Sequence, residues 1–107
     1  MIITPDFIKI EIKNQDYEIS LHADDERIAE DLTINELEYA LLDCEIIEHY
    51  SDDPRGVSCL ALGYSTDSIP IHIVCGKTSS NHLFIITVYI PKMPRWKNPH
   101  TRNKLRR

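Results

Sequence analysis

The stretch PIHIVCGK-TSSN-HLFIITVYI, residues 70–90, decides the fold. Two runs rich in β-branched and aromatic residues flank a short polar segment, the pattern of a β-hairpin. With TSSN (78–81) as a four-residue loop, Lys77 faces His82, Ile71 faces Val88, Ile73 faces Ile86 and Cys75 faces Phe84. That apolar face must be covered. The opposite face carries His72 across from Thr87, and Pro70 across from Tyr89. A one-residue slip would turn Ile71, Ile73, Ile86 and Val88 outward, so the hydrophobic pattern itself argues for this register.

Working back toward the N-terminus, SCLALGYS (58–65) and EIIEHY (45–50) also read as strands. The connections SDDPRGV and TDSI are short and polar, which implies antiparallel neighbours. The same pairing logic across TDSI (66–69) places Leu60, Leu62 and Tyr64 on the covered face. Cys59, Ala61 and Gly63 then join the face of His72 and give it a shallow floor, with His49 opposite Cys59.

The first 44 residues read differently. In LTINELEYALLDC, Thr33 and Glu36 form a capping box, and Leu32 and Leu37 occupy the two staple positions around it. Ile34, Leu37 and Leu41 follow at helical spacing. ISLHADDERIAEDL crowds Asp24, Asp25 and Glu26 into a first helical turn, where acids suit the helix dipole. Ile28, Ala29 and Leu32 give that helix an apolar side. Residues 6–13 read both ways: IKIEIK alternates like a strand, while Thr4-Pro5-Asp6 is a helix start and favours a short helix. The expected fold class is α+β, with N-terminal helices packed on one face of a twisted antiparallel four-stranded sheet.

Residues 1–91 then form a single domain, and 92–107 a basic C-terminal tail. The last 16 residues hold seven lysines and arginines and no acid. The 91 before them hold all 17 acids and five basic residues, so a tail of +7 follows a body of −12. From Pro91 onward, three prolines and no apolar periodicity argue against a regular element, leaving a tail that is either mobile or draped over the sheet. No apolar run reaches the length of a membrane span and the start lacks a signal-peptide pattern, so the expected setting is the cytoplasm, away from membranes. Cys44, Cys59 and Cys75 form no CxxC pair and read as small buried hydrophobes, and no spacing suggests a metal or other cofactor.

The chemistry expected of the open face centres on His72, Tyr89 and Arg55. An imidazole that titrates near neutrality acts as acid or base, and arginines stabilise charge on phosphorus. This suits cleavage of RNA, which carries its own 2′-hydroxyl nucleophile. Arg55 or Arg95 would hold the reacting phosphate, Trp96 would stack on a base, and Lys92, Lys97 and Arg102 would hold backbone phosphates. His22, Arg27, His49 and Thr87 are secondary candidates. Each has a plainer alternative: His72 and Tyr89 as packing, Arg55 paired with Asp52 or Asp53, His22 tending its own helix, and the tail bound to its own acidic body.

The stretches HA–(x)3–R (22–27), EIIE–(x)2–SDDPRG (45–56), PIH–(x)2–CGK (70–77) and ITVY–(x)5–W (86–96) carry a resemblance. Across residues 18–97 the chain resembles a small prokaryotic domain-of-unknown-function family grouped with RelE/ParE-like toxins, similar in fold to BrnT and MqsR. The resemblance implies a type II toxin that cleaves mRNA, and a cognate antitoxin partner, in some systems with a zinc-finger segment. It marks His22, Arg27, Arg55, His72, Tyr89 and Trp96 as motif positions. The alternative is a non-catalytic module that docks an antitoxin-like protein on the same face. An uncovered edge at residues 82–90 would favour a homodimer, a bound antitoxin or a folded-back tail.

Overall fold

The computed structural model describes residues 2–54 and 56–103. The elements run α1 (Pro5–Lys13), β1 (Tyr17–Ile19), α2 (Leu21–Ala29), α3 (Ile34–Leu42), β2 (Glu45–Tyr50), β3 (Ser58–Tyr64), β4 (Pro70–Lys77), β5 (Leu83–Tyr89), β6 (Trp96–Asn98) and β7 (Thr101–Arg102). One mixed sheet has the order β1-β5-β4-β3-β2, and β6 and β7 form a separate hairpin. The sheet therefore has five strands rather than four, because β1 adds to β5 in parallel.

Local signals explain the helices. Thr4 caps α1 by accepting from the Phe7 N–H, with Pro5 in the first turn, which settles residues 6–13 as helix. The capping box of Thr33 and Glu36 starts α3, and Leu32 and Leu37 are both buried beside it. The covered side of α3 is Leu37, Ala40 and Leu41, while Ile34 is exposed.

The expected apolar side of α2 is corrected: Ile28 and Ala29 face solvent, and Ala23 is the buried contact. The helix docks with polar groups instead. Ser20 Oγ donates to the Ile86 carbonyl, Glu26 accepts from the Val88 N–H, and Glu30 accepts from the Ile90 N–H. These contacts, with β1, cover the free edge of β5. A dimer, an antitoxin or the tail is not needed for that purpose.

The register also differs from expectation, for identifiable reasons. Ser65 leaves β3 and anchors the turn: its N–H donates to the Ile69 carbonyl, and its Oγ accepts from Asp67 and Ile69. Tyr64 then pairs with Pro70, one residue off the expected pairing. The faces of β3 are consequently reversed. Cys59, Ala61 and Gly63 face the helices, and Leu60, Leu62 and Tyr64 share the face of His72.

In the next hairpin Thr78 plays the same part for His82, and Lys77 pairs with Leu83. Leu83 and Ile85 therefore point into the core in place of Phe84 and Ile86. A bulge at Val74–Cys75 adds a second residue of shift and restores the expected face for Val88, Thr87 and Tyr89. His72 ends up paired with Tyr89.

Candidate functional site

In the described part of the tail the hairpin β6–β7 lies over the open face of the sheet, which corrects the expectation of no regular element. Trp96 is only 4% exposed and meets the His72 ring edge-on, with centroids 4.3 Å apart. Beneath it the open face is floored by Leu60 and Leu62, both buried, instead of by small residues.

His72 is fully buried and both its nitrogens are engaged. Nε2 lies 2.7 Å from the Pro99 carbonyl, which can only accept, so Nε2 carries the proton. Nδ1 then accepts from the Tyr89 hydroxyl at 3.0 Å. Burial lowers the His72 pKa, partly offset by the Pro99 contact. Burial raises that of Tyr89, opposed by its hydrogen bond with Trp96. His72, Tyr89 and Trp96 thus form a closed neutral cluster.

A second cluster reaches solvent beside it. Arg102 places Nε 2.6 Å and one terminal nitrogen 3.0 Å from the two carboxylate oxygens of Glu48. Its guanidinium also stands over the Trp96 ring, 4.7 Å from the centroid. The Tyr50 hydroxyl donates to Glu48. Arg102 holds the Glu48 carboxyl below its usual range, so it stays ionised. Burial, then Glu48, push Tyr50 up to about 12, so its proton stays on. Tyr50 also lines an open trough of about 690 Å³ on the rest of this face, with Val74, Gly76, Phe84 and Ile86 among its walls.

Of the expected site residues, His72, Tyr89, Trp96 and Arg102 come together on the open face. Arg55 lies outside the described residues. Trp96 and Arg102 pack against the domain itself. Lys92 sits 3.6 Å from Glu30, and Arg95 and Lys97 are exposed. His100 reaches Glu45 at 2.5 Å, so Lys92, Arg102 and the His100 imidazole each meet an acid of the body.

Thr87 lines the trough. His22 is exposed and lies 3.2 Å from Glu26. Arg27 binds Asp24 and the Leu32 carbonyl, bracing the turn between α2 and α3. His49 pairs with Cys59 as expected, but Cys59 faces the helices, so His49 does not join His72. Glu48 and Tyr50 were missed, although their two-residue spacing in a strand puts them on one face. Cys59 and Cys75 are buried as expected, whereas Cys44 is only half-buried.

Neutral His72 makes stability depend on pH. The unfolded imidazole takes a proton near 6.5, whereas the folded one takes it only at lower pH. Its stabilising contribution is therefore complete above about pH 6.5 and is lost as pH falls through the folded value. His82 has the opposite sign, because Glu11 raises its pKa. In a His82→Gln background the urea midpoint should fall between about pH 7.5 and pH 5.5, and His72→Asn should flatten that slope.

The sequence family described as Domain of unknown function (DUF4258) matches residues 19–90, and the chain belongs to it. No curated protein and no solved structure matches the chain. Among the described residues, no helix is long and apolar enough to cross a membrane.

Proposed function

We propose that this DUF4258 domain is a RelE/ParE-like toxin: a cytoplasmic endoribonuclease that cleaves mRNA without a catalytic metal and is held in check by a cognate antitoxin. The observation that carries this reading is the contact among Glu48, Tyr50 and Arg102: an ionised carboxylate, a protonated phenol and a guanidinium at one solvent-facing point. These groups can fill the three roles in in-line cleavage of RNA: base, acid and stabiliser of charge on phosphorus.

Glu48 takes the 2′-hydroxyl proton as that oxygen attacks phosphorus. Arg102 turns from Glu48 to the phosphoryl oxygens as their charge grows. Tyr50 gives its proton to the departing 5′-oxygen and recovers one from Glu48. The products are a 2′,3′-cyclic phosphate and a 5′-hydroxyl. Exposed Arg95 and Lys97 supply local attraction for the backbone that the acidic body lacks, so binding weakens with salt. His72, with both nitrogens occupied, serves as a positioning residue that holds Trp96 and Pro99 beneath Arg102.

A second reading, a non-catalytic module that docks an antitoxin-like protein, is favoured by one observation: Arg102 is already neutralised by Glu48. Induced expression in a bacterial host, with growth and mRNA integrity followed together, separates the two. The wild-type chain should arrest growth and fragment mRNA. Glu48→Gln should lower cleavage by about 100-fold or more while the purified variant keeps its circular dichroism. Intact mRNA from soluble wild-type protein would leave the docking module.

A further inference from the structure

We propose that Glu11, Asp16 and His82 form a binding site for a divalent first-row transition-metal ion of the zinc class. They come from three separate segments: the C-terminal half of α1, the turn into β1, and the β4–β5 loop. One donor atom from each lies within 4.8 Å of the other two, and no other such trio occurs among the described residues. The pairs His22–Glu26 and His100–Glu45, by contrast, each offer an imidazole and a single carboxylate.

The donor chemistry selects the ion. Imidazole with two carboxylates suits zinc and its neighbours, whereas calcium and magnesium prefer oxygen ligands throughout. Bonds of about 2.0–2.2 Å to a tetrahedral ion put donor atoms about 3.4 Å apart. Asp16 and His82 are exposed, so small rotations of their side chains close the remaining gap.

Glu11 is the fixed point. It is 8% exposed, and its Oε1 accepts from His82 Nδ1 at 2.8 Å and from the Leu83 N–H at 3.3 Å. A carboxylate so far from water is stabilised by a cation beside it. Three protein ligands leave a position for water. The ion would pin α1 to the end of the β4–β5 hairpin. None of these residues belongs to the proposed cleavage cluster, so this site and that reading stand or fall separately.

The test uses the untagged full chain, stripped with EDTA and then freed of chelator. Titration with zinc chloride should give one saturable site per chain and a rise in melting temperature that grows with free zinc. Magnesium chloride at the same concentration should give none. Asp16→Asn and His82→Asn leave the bond between Glu11 and Leu83 in place, and each should weaken zinc binding about 10-fold or more. Absence of saturable binding would overturn the proposal. So would a response unchanged in both variants, or one removed by Cys44→Ser instead, which would assign the zinc to the thiols.

Discussion

Trp96→Ala should destabilise the protein by about 3 kcal/mol, the range for removing a large buried aromatic side chain. Against a total of about 5–15 kcal/mol for a domain, this is a large share. The ring covers His72 and supports the Arg102 guanidinium. With the ring gone, the β6–β7 hairpin keeps mainly surface contacts: the Arg102–Glu48 pair, the His100–Glu45 pair, and the hydrogen bond at Pro99. Exposed ion pairs contribute little and are screened by salt. Urea unfolding followed by circular dichroism measures the loss. The variant should also bind a hydrophobic dye in the native baseline, and salt should enhance that binding. A change below about 0.5 kcal/mol would mean that the hairpin does not depend on its indole.

Gly63→Val should cost about 3 kcal/mol or prevent folding, through a different cause. A Cβ at Gly63 would stand 2.2 Å from the Ala40 carbonyl oxygen and 2.7 Å from its carbon. Those are backbone atoms of α3 and cannot rotate aside, so the helix would have to lift from β3. Gly76→Ala is a milder contrast at a site where the neighbour can move. Its new methyl would meet Ile86 Cδ1 at 2.9 Å, the far end of a flexible side chain on the open face. That variant should lose no more than about 1 kcal/mol. Equal losses in the two would argue that α3 is loosely held.

The sequence carried the elements better than it carried their faces. Thr33 and Glu36 announce α3, and β-branched runs with polar gaps announce β2 to β5 within a residue of their ends. The faces depend on the turns, where a single serine or threonine hydroxyl moved each register by one residue. Periodicity cannot reveal that Ser65 belongs to the turn rather than to β3. Tyr17–Ile19 was hidden because a three-residue parallel strand is defined by its partner. The pairing of His72 with Tyr89 emerged after two shifts that together preserved their common face.

The candidate site was legible only in part. Charge bias singled out the tail, and the docking of its cations on the body was weighed as an alternative. Glu48 became a candidate only when Arg102 was seen to return to it from 54 residues away. Such a contact leaves no local mark, because both side chains read as ordinary surface charge until the hairpin brings them together.

The parallel pairing of β1 with β5 has a consequence for how the chain is made. Tyr17 meets Leu83, and Ile19 meets Ile85, across 66 residues. On a ribosome, α1, β1 and α2 emerge first and wait for most of the domain before their sheet partner exists. At about 5–20 residues per second that interval lasts several seconds, long compared with the time in which a small chain collapses. During it, the apolar side of α1 has α3 as its early partner, and the sheet grows toward it from β2. The nascent domain therefore closes from its C-terminal strands back onto its N-terminus, and a truncation before residue 83 should leave β1 and α2 without β5, the strand they dock on.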